Sequence, residues 1–150
     1  MKTVVSRVRE AQVRVDGEVV GQIGRGVVLL VGVEKGDTEA DAIATARKIA
    51  SLRIFPGRTP MDLDLAAVDG GCLVVSQFTL AGTVRKGRRP SFDAAQAPEL
   101  ADPLYLRVAD ELRAQGLPVE TGRFGAAMLV EQVGDGPVTL LVFTRDGSVL

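Results

Sequence analysis

The chain has 150 residues, of which 46% are hydrophobic and 25% are charged, and its formal net charge is −1. This length and composition are typical of one globular domain that buries about two thirds of its unfolded surface without disulfides or metals. The near-zero net charge excludes wholesale coating of nucleic acid, so any polyanion must be bound by a local cluster of cations.

Two residue counts exclude whole classes of site. Cys72 is the only cysteine, which excludes an internal disulfide and a cysteine-rich metal site. The chain has no histidine, so Ser-His-Asp and Cys-His arrangements and histidine metal ligands are excluded as well. We expect no metal and no cofactor. An enzyme of this sequence must use a perturbed carboxylate, backbone donors, substrate positioning or groups that the substrate brings.

Localisation is predicted from the absence of targeting signals. Residues 1–5 lack the apolar core of a signal peptide, and no apolar run approaches the roughly 20 residues that span a bilayer. A single cysteine fits a reducing compartment. We expect a cytoplasmic protein that does not interact with membranes.

The first third of the chain predicts strands joined by tight turns. The apolar residues between 4 and 15 change alternation phase near Arg9-Glu10, which predicts a bulge or bend. Asp16-Gly17 between apolar runs is a strong two-residue hairpin signal. The nearly continuous aliphatic run 27–33 predicts a central strand.

Two helices are predicted from caps and apolar periodicity. Asp37 is expected to cap a helix over roughly 38–52. Asp102-Pro103 is expected to start a second helix, which Gly116 ends. Residues 56–70 predict a loop, and its aspartates are interpreted as solvated charge rather than as a calcium site.

The most informative stretch is 73–82, where a strand changes character. Leu73 to Val75 is aliphatic, and Ser76, Gln77 and Thr79 follow at once before Gly82. An ordinary edge strand is one explanation. The alternative is a site held at the end of a rigid element. The segment that follows favours the site, because Arg85, Lys86, Arg88 and Arg89 place four cations within five residues.

The C-terminal third predicts three short strands over 117–120, 128–133 and 138–144. A glycine-bounded loop over 121–125 and a tight turn over 134–137 separate them. Residues 1–145 are expected to form one domain and 146–150 a loose tail. Strands outnumber helices, so the sequence predicts an α+β fold of mostly antiparallel, barrel-like β-sheets with two packed helices.

Four motifs in one register resemble the D-aminoacyl-tRNA deacylase (D-tyrosyl-tRNA deacylase) family. The resemblance runs from about residue 1 to residue 143 and includes Arg7-Val8 and the 15–17 hairpin. The motifs are Ser76-Gln77-Phe78-Thr79-Leu80, Arg85-Lys86-Gly87-Arg88-Arg89-Pro90-Ser91-Phe92, Thr121-Gly122-Arg123-Phe124-Gly125 and Asp135-Gly136-Pro137-Val138-Thr139.

The resemblance implies an activity and an assembly. It implies a cytosolic homodimer that hydrolyses the ester joining a D-amino acid to the 3′ end of tRNA, and that also acts on glycyl-tRNA mischarged on tRNA-Ala. The substrate pocket would lie at the dimer interface. Gly136-Pro137 matches a Gly-cisPro motif that one subunit inserts into the other's pocket to exclude L-amino acids, and Arg7 matches its brace. Without the resemblance, a trans turn at Gly136-Pro137 and a surface cation at Arg7 would be favoured.

The resemblance also distributes roles over the motifs. Ser76, Gln77, Phe78 and Thr79 are expected to form the catalytic segment, with the amides of Phe78 and Thr79 directed at the developing oxyanion. Phe124 and Met128 are expected to bind substrate. The Thr79 hydroxyl is a weak nucleophile without a neighbouring base, and the family depends instead on the 2′-hydroxyl of the tRNA. The basic loop 85–89 is expected to bind acceptor phosphates, with a solvated charged loop as the alternative.

Two other functions stay open, and three positions depart from the family pattern. The alternatives are a paralogous deacylase that edits another aminoacyl-tRNA and a non-catalytic tRNA-binding dimer. The departures are Gly134, where asparagine is common, Ala81 in place of a larger residue, and Ala127 in place of a polar one.

Overall fold

A seven-stranded mixed sheet carries two helices in the computed structural model, which describes all 150 residues. Short 3₁₀ turns occur at Ala66–Val68 and Phe78–Ala81. The elements are β1 (Lys2–Val15), β2 (Glu18–Ile23), β3 (Gly26–Gly32), α1 (Glu39–Ala50), β4 (Gly71–Ser76), α2 (Pro98–Ala114), β5 (Val119–Thr121), β6 (Leu129–Arg145) and β7 (Ser148–Val149).

The strand order is β5-β4-β3-β1-β6-β7, and β2 pairs with β1 outside this path. Pairing is antiparallel for β1 with β2, β3 and β6 and for β6 with β7, whereas β3/β4 and β4/β5 are parallel. The predicted α+β class with a mostly antiparallel, barrel-like sheet and two helices is confirmed. The parallel pairs arise because α1 connects β3 to β4 and α2 connects β4 to β5, which gives each connection the length of a crossover.

The sheet curls so that β2 approaches β5, with which it does not pair. A Cβ built on Gly21 of β2 would lie 2.5 Å from the carbonyl oxygen of Thr121 in β5. The curl separates two apolar clusters. One lies between the sheet and the helices and includes Leu29 and Tyr105, and the other lines the concave face and includes Leu73.

The predictions for β1 and the first hairpin are confirmed. The pairing of β1 with β6 shifts register between Ser6 and Glu10, where the burial alternation also changes phase. Asp16 and Gly17 have φ values of 51° and 81°, the left-handed conformation that a tight two-residue hairpin requires.

The cap predicted for α1 is wrong by one residue. Thr38, not Asp37, is the N-cap, and the Asp41 carboxylate accepts the Thr38 N–H at 2.8 Å in a capping box. Asp37 instead accepts a hydrogen bond from the Met1 amine at 2.6 Å. The aspartate was misassigned because its partner is 36 residues away in sequence.

The second helix starts earlier than predicted. Pro98 occupies its first turn and Ala97 is the N-cap, so the expected start at Asp102-Pro103 is wrong and Pro103 lies inside the helix. Pro98 fits because the first-turn N–H has no helical partner to lose. Neither helix is long and apolar enough to cross a bilayer.

The C-terminal third contains one long strand instead of two short ones. β6 runs from Leu129 to Arg145 through residues 134–137, so the tight turn predicted there is wrong. β6 pairs with β1 on both sides of this segment. Ser6 pairs with Thr139 and Val8 with Gly134, so the residues between them on β6 bulge out of the pairing. The Gly136-Pro137 peptide bond is cis, and Gly136 has φ 131°. The tail predicted for 146–150 contains a turn at Asp146-Gly147 and the strand β7, which pairs with the end of β6.

Candidate active site

An apolar cleft of about 790 Å³ lies beyond the carboxyl ends of the three neighbouring strands β3, β4 and β5. Side chains that follow parallel strands converge at this edge of a sheet, where ligands commonly bind. The lining residues are Val33, Lys35, Val75, Ser76, Gln77, Phe78, Phe92, Ala95, Gln96, Ala97, Pro98, Ala101, Phe124, Gly125, Ala126, Met128 and Val130. A smaller depression of about 320 Å³ between β1, β2 and β6 contains none of the predicted site residues.

The chain turns sharply after β4 into the 3₁₀ turn Phe78–Ala81, and Gln77 and Phe78 line the cleft there. The Gln77 N–H donates to the Val31 carbonyl at 2.8 Å, which fixes the start of the 3₁₀ turn to β3. Inside the turn, the Leu80 N–H donates to the Gln77 carbonyl at 3.2 Å. The amides of Phe78 and Thr79 precede this bond, so they have no carbonyl partner within the turn. Two neighbouring donors with fixed direction therefore stand at the end of a buried strand.

The turn packs tightly against β3 because Gly32 has no side chain. A Cβ at Gly32 would lie 2.7 Å from the Leu80 Cβ and 3.0 Å from the Gln77 carbonyl oxygen. Real Cβ atoms essentially never approach to 2.7 Å, and 3.0 Å is tighter than most of their contacts, so any larger residue would push the turn away from the sheet. Gly32 therefore sets the position of the two amides.

Aromatic rings form one wall of the cleft. Phe78 is 56% exposed, an unusual state for a large apolar side chain, and its ring stacks edge-on against Phe92 with centroids 5.1 Å apart. On the opposite wall, Phe124 packs against Tyr105 of α2 with centroids 6.0 Å apart. The Tyr105 hydroxyl donates to the Val74 carbonyl at 3.1 Å, which ties this wall to β4.

Met128 reaches the cleft by passing close to the loop after β5. Its Sδ would lie 2.7 Å from a Cβ built on Gly122, whose N–H donates to the Val74 carbonyl at 3.0 Å. Gly122 therefore leaves the space that the Met128 side chain fills. Met128 and Phe124, both predicted to bind substrate, lie in the same cleft as Ser76, Gln77 and Phe78.

Thr79 stands on the turn but does not line the cleft. Its side-chain oxygen accepts a hydrogen bond from the Gln77 amide, and no carboxylate, amine or other base contacts it. The hydroxyl thus has no group in this chain that could remove its proton.

Arg7, Gly136 and Pro137 lie outside the cleft of their own chain. Arg7 is 8% exposed, donates from Nε to the Asp135 carbonyl at 3.0 Å and donates from Nη1 to the Ile54 carbonyl. Its guanidinium also lies beside Gly136, where a Cβ would be 3.1 Å from Nη2. Gly136 and Pro137 are exposed. Hydrogen bonds to two carbonyls thus hold Arg7 in place, and through the Asp135 carbonyl Arg7 holds the exposed Gly136-Pro137 unit in place.

The four predicted tRNA-binding cations lie on an exposed loop between the 3₁₀ turn and Phe92. The loop is closed by two backbone hydrogen bonds between Thr83 and Ser91, at 2.8 and 3.0 Å. Arg85, Lys86, Arg88 and Arg89 are exposed, and none takes part in an ion pair. Their charge is therefore not neutralised within the chain.

Sequence reasoning missed part of the lining. Lys35, Gln96 and the segment 95–98 line the cleft, and Phe92 belongs to a motif but was given no role. The pairing of 94–96 with 33–35 joins segments about sixty residues apart, so no local pattern could have indicated it. The departures at Gly134 and Ala127 are exposed, and a Cβ at Gly134 would meet nothing within 4 Å.

Two buried groups of the core, at the start of β4 and on α2 behind Phe124, stay protonated at neutral pH. Burial raises the pKa of the Cys72 thiol to about 12, and burial is also the largest cause of the raised pKa of Tyr105. Neither group supplies a thiolate or a phenolate near neutrality. The cleft therefore offers donors and apolar surface rather than an ionised nucleophile.

Comparison with known families gives a match over nearly the whole chain. The model of the family described as D-Tyr-tRNA(Tyr) deacylase matches residues 4–143. A D-aminoacyl-tRNA deacylase of Geobacter sulfurreducens is 53% identical over 149 residues, which cover 99% of this chain and 98% of the relative. One of Halalkalibacterium halodurans is 54% identical over 146 residues, with 97% and 100% covered.

Solved structures show the same fold. A structure of a c-Myc DNA Unwinding Element Binding Protein superposes with a TM-score of 0.90 at 37% identity and covers 97% of this chain and 99% of that one. A structure described as a probable eukaryotic D-amino acid tRNA deacylase gives a TM-score of 0.77 at 19% identity, with 93% and 97% covered. The second likeness is one of fold alone.

Proposed function

Because the chain belongs to the D-Tyr-tRNA(Tyr) deacylase family, we propose that it hydrolyses the ester that joins a D-amino acid to the 3′ end of tRNA and releases free tRNA and the D-amino acid. The prediction that the chain is an aminoacyl-tRNA ester hydrolase is confirmed at the level of the family and its relatives. Glycyl-tRNA mischarged on tRNA-Ala is included in the proposal, because a site that excludes an L side chain leaves glycine unhindered.

The observation that carries the proposal is the pair of free amides at Phe78 and Thr79. Ester hydrolysis passes through a tetrahedral intermediate whose oxygen becomes negative, and fixed backbone N–H groups stabilise that oxygen. An apolar cleft of about 790 Å³ is large enough for an aminoacyl-adenosine end. Phe78 lines this cleft, and a donor there gains strength when the bound substrate displaces competing water.

The proposed chemistry needs no histidine. An aminoacyl ester is already activated, so holding it with its carbonyl at the two amides supplies positioning and charge stabilisation together. The Thr79 hydroxyl has no neighbouring base, so we assign assistance of the attack to the 2′-hydroxyl of the terminal ribose. In this mechanism the protein orients the ester and stabilises the oxyanion, and the tRNA supplies the hydroxyl that assists the attack.

We assign discrimination against L-amino acids to Gly136-Pro137 of a second subunit. This peptide unit does not line the cleft of its own chain, is exposed, and is fixed by Arg7 through the Asp135 carbonyl. A rigid obstacle that enters the cleft from a partner can block the direction of an L side chain and leave the D direction open.

The exposed edge of β6 supports a homodimer. β1 pairs along one edge of β6, whereas β7 covers only Thr144 and Arg145 on the other. Leu129 and Leu141 are 68% and 63% exposed on this strand. A long apolar strand with a free edge is a surface that natural proteins usually cover. Val130 of β6 also lines the cleft, so a subunit packed on β6 would adjoin it.

The loop of four unpaired cations is proposed to bind the acceptor phosphates of tRNA. Its residues follow the 3₁₀ turn directly and lead to Phe92 in the cleft wall. Cations without carboxylate partners contribute to phosphate binding because they release counterions from the RNA. Because the net charge of the chain is −1, this local cluster of cations is the part of the surface expected to attract the tRNA.

The experiment that tests the proposal is single-turnover hydrolysis of D-tyrosyl-tRNA against L-tyrosyl-tRNA. We expect release of D-tyrosine at a rate far above the spontaneous one and no acceleration for the L-ester. Equal acceleration of both esters would contradict the chiral assignment. Binding of both tRNAs without hydrolysis would identify a non-catalytic tRNA-binding protein, and hydrolysis restricted to another aminoacyl-tRNA would identify a paralogous editing enzyme.

A further inference from the structure

Lys35 is the one charged residue among the seventeen that line the cleft. Its side chain is exposed and takes part in no ion pair. The carboxylates beside it in sequence are already engaged. Glu34 pairs with Lys2 at 2.9 Å, and Asp37 pairs with the Met1 amine at 2.6 Å. The ammonium group therefore stands at an apolar cleft without a counter-charge.

The backbone of Lys35 is held in a fixed place. Its N–H donates to the Ala94 carbonyl at 2.9 Å, and the Gln96 N–H donates to the Val33 carbonyl at 3.0 Å. These bonds form a short antiparallel ladder at the rim of the cleft, on the side where α2 begins. The backbone of Lys35 is thus already ordered, so ligand binding costs only the rotamer entropy of its side chain.

Lys35 lies at a suitable distance from the reacting end. The Gln77 N–H is bonded to Val31, so the catalytic turn sits beside the end of β3. Lys35 follows Val31 by four residues, which places its Cα at most about 14 Å farther along the chain. Lys35 and Gln77 line the same cleft, so an ester at the turn and an anion at the Lys35 ammonium fit the two ends of one bound nucleotide.

We propose that Lys35 binds the phosphodiester on the 5′ side of the terminal adenosine and so positions the aminoacyl ester at the amides of Phe78 and Thr79. This inference rests on the proposed function, because it assigns the part of the tRNA that the lysine contacts. The terminal adenosine carries no charge except this phosphate, and a lysine ammonium is a suitable point-charge partner for it. Lys35 acts on position rather than on the reacting bond, so it is a positioning residue.

The same ammonium could receive a different anion, the side-chain carboxylate of an aspartyl or glutamyl ester. In that case Lys35 would select the amino acid instead of the nucleotide. The apolar character of the remaining lining favours the phosphate, because eleven of the seventeen lining residues are hydrophobic and none is a second cation. The two anions occur on different substrates, so they can be tested separately.

The test compares Lys35→Ala with the wild-type protein on D-tyrosyl-adenosine, on its 5′-phosphate and on D-tyrosyl-tRNA. We expect Lys35→Ala to lower kcat/KM by roughly three- to tenfold on the two phosphate-bearing substrates, mainly through KM, and to leave the nucleoside ester unchanged. The salt dependence of tRNA binding should become shallower by about 0.7 in log–log slope, the value for one contact to a single strand.

Three variants serve as controls. Lys35→Arg keeps the charge and should retain most of the activity on the phosphate-bearing substrates. Lys48→Ala removes an equally exposed lysine of α1 that does not line the cleft, and should change none of the substrates. Arg88→Ala should affect the tRNA alone, because a single 5′-phosphate does not extend to the basic loop.

An equal effect of Lys35→Ala on the nucleoside ester and on its 5′-phosphate would overturn the proposal. A selective loss on D-aspartyl-adenosine, which has no phosphate, would assign the lysine to the amino acid instead. A wild-type protein that hydrolyses none of the D-esters would refute the proposed function itself. Full wild-type activity with no change in any Lys35 variant would refute only this inference.

Discussion

At the scale of single residues, the backbone amide of Phe78 can be tested separately from its ring. Phe78→Pro removes both the ring and the N–H, whereas Phe78→Ala removes the ring alone. Proline is compatible with the first position of a turn, and Gln77 before it has φ −139° and ψ 79°, outside the helical region that proline disfavours. We expect Phe78→Pro to lower kcat by about 10²- to 10³-fold relative to Phe78→Ala.

The comparison is measured as single-turnover hydrolysis of D-tyrosyl-tRNA by both variants, with circular dichroism to check the fold. Phe78 is 56% exposed, so neither change leaves a cavity in the core. Equal rates for the two variants would show that the Phe78 amide does not stabilise the transition state.

Thr79 provides the complementary prediction about the nucleophile. Thr79→Ala removes the hydroxyl and keeps the amide, so substantial single-turnover activity should remain. The same variant should lose all activity on a tRNA that ends in 2′-deoxyadenosine. Near-complete inactivity of Thr79→Ala on normal tRNA would instead identify the threonine as the nucleophile.

The cleft contains predicted site residues from contiguous motifs and unpredicted residues that tertiary pairing brings in. Ser76, Gln77 and Phe78 follow a strand whose change from aliphatic to polar is visible in the sequence, and the structure places them in the cleft. Lys35 and Gln96 reach the same cleft through a ladder between distant segments. Their positions depend on how the chain returns after α1 and the basic loop, which neither composition nor periodicity encodes.

At the scale of elements, Asp41 links the start of α1 to the end of the chain. Its carboxylate accepts hydrogen bonds from the N–H of Gly147 at 2.9 Å and of Thr38 at 2.8 Å. Burial raises the pKa of Asp41, but these hydrogen bonds and that of the Thr38 hydroxyl outweigh it, so the pKa lies below its ordinary value. A lowered folded-state pKa stabilises the fold above the ordinary value of about 3.9 and loses this contribution as pH falls through the folded-state pKa.

We therefore expect Asp41→Asn to destabilise the protein at pH 7 and the difference from wild type to shrink below about pH 4. Urea unfolding at pH 7 and at pH 3 measures both free energies. The account of Asp41 would be wrong if the variant were equally destabilised at both pH values, because the loss would then not depend on ionisation.

Gly26 fixes the start of the parallel pair β3/β4. A Cβ at this position would lie 1.9 Å from the Gly71 carbonyl oxygen and 2.7 Å from the Gly71 nitrogen, both of which are backbone atoms. Gly26→Ala should therefore destabilise the protein by at least about 3 kcal/mol or prevent folding. Gly24→Ala is the matched control, because a Cβ there meets nothing within 4 Å, and it should change stability by less than about 1 kcal/mol.

Urea unfolding followed by circular dichroism measures both glycine variants. A Gly26→Ala protein as stable as Gly24→Ala would show that β3 and β4 can separate at their first residues without cost. The position of the 3₁₀ turn Phe78–Ala81 would then depend on the hydrogen bond from Gln77 to Val31 rather than on the start of the β3/β4 pair.

The first hairpin and the central strand were predicted correctly from local signals, whereas both helix starts and the long strand β6 were not. The Asp16-Gly17 hairpin and the aliphatic strand β3 agree with the structure, because turn chemistry and alternation specify them locally. β6 was divided at 134–137 because glycine and proline normally break a strand. The long pairing with β1 maintains the strand through this segment.

At the scale of the whole molecule, the cleft and the proposed chiral filter are separate on one chain. Phe78, Phe124 and Met128 line the cleft, whereas Arg7, Gly136 and Pro137 lie elsewhere. We propose that they meet in a homodimer in which each subunit completes the other's site. The free edge of β6, with Leu129 and Leu141 exposed, is the surface assigned to this contact.

The most direct test mixes two variants with complementary defects. Phe78→Pro inactivates the cleft and keeps the Gly136-Pro137 unit, whereas Pro137→Ala alters the obstructing Gly136-Pro137 unit and keeps the cleft. Pro137→Ala alone should hydrolyse both D- and L-tyrosyl-tRNA. A mixed dimer has one intact site, formed by the cleft of the Pro137→Ala subunit and the Pro137 of the Phe78→Pro subunit.

The measurement is the ratio of D- to L-tyrosyl-tRNA hydrolysis by Pro137→Ala as a growing excess of Phe78→Pro subunits is exchanged into it. The account predicts that the rate on the D-ester persists while the rate on the L-ester falls, so the ratio rises toward the wild-type value. A ratio that stays constant across all mixtures would contradict it, because each cleft would then be filtered by its own chain or by none.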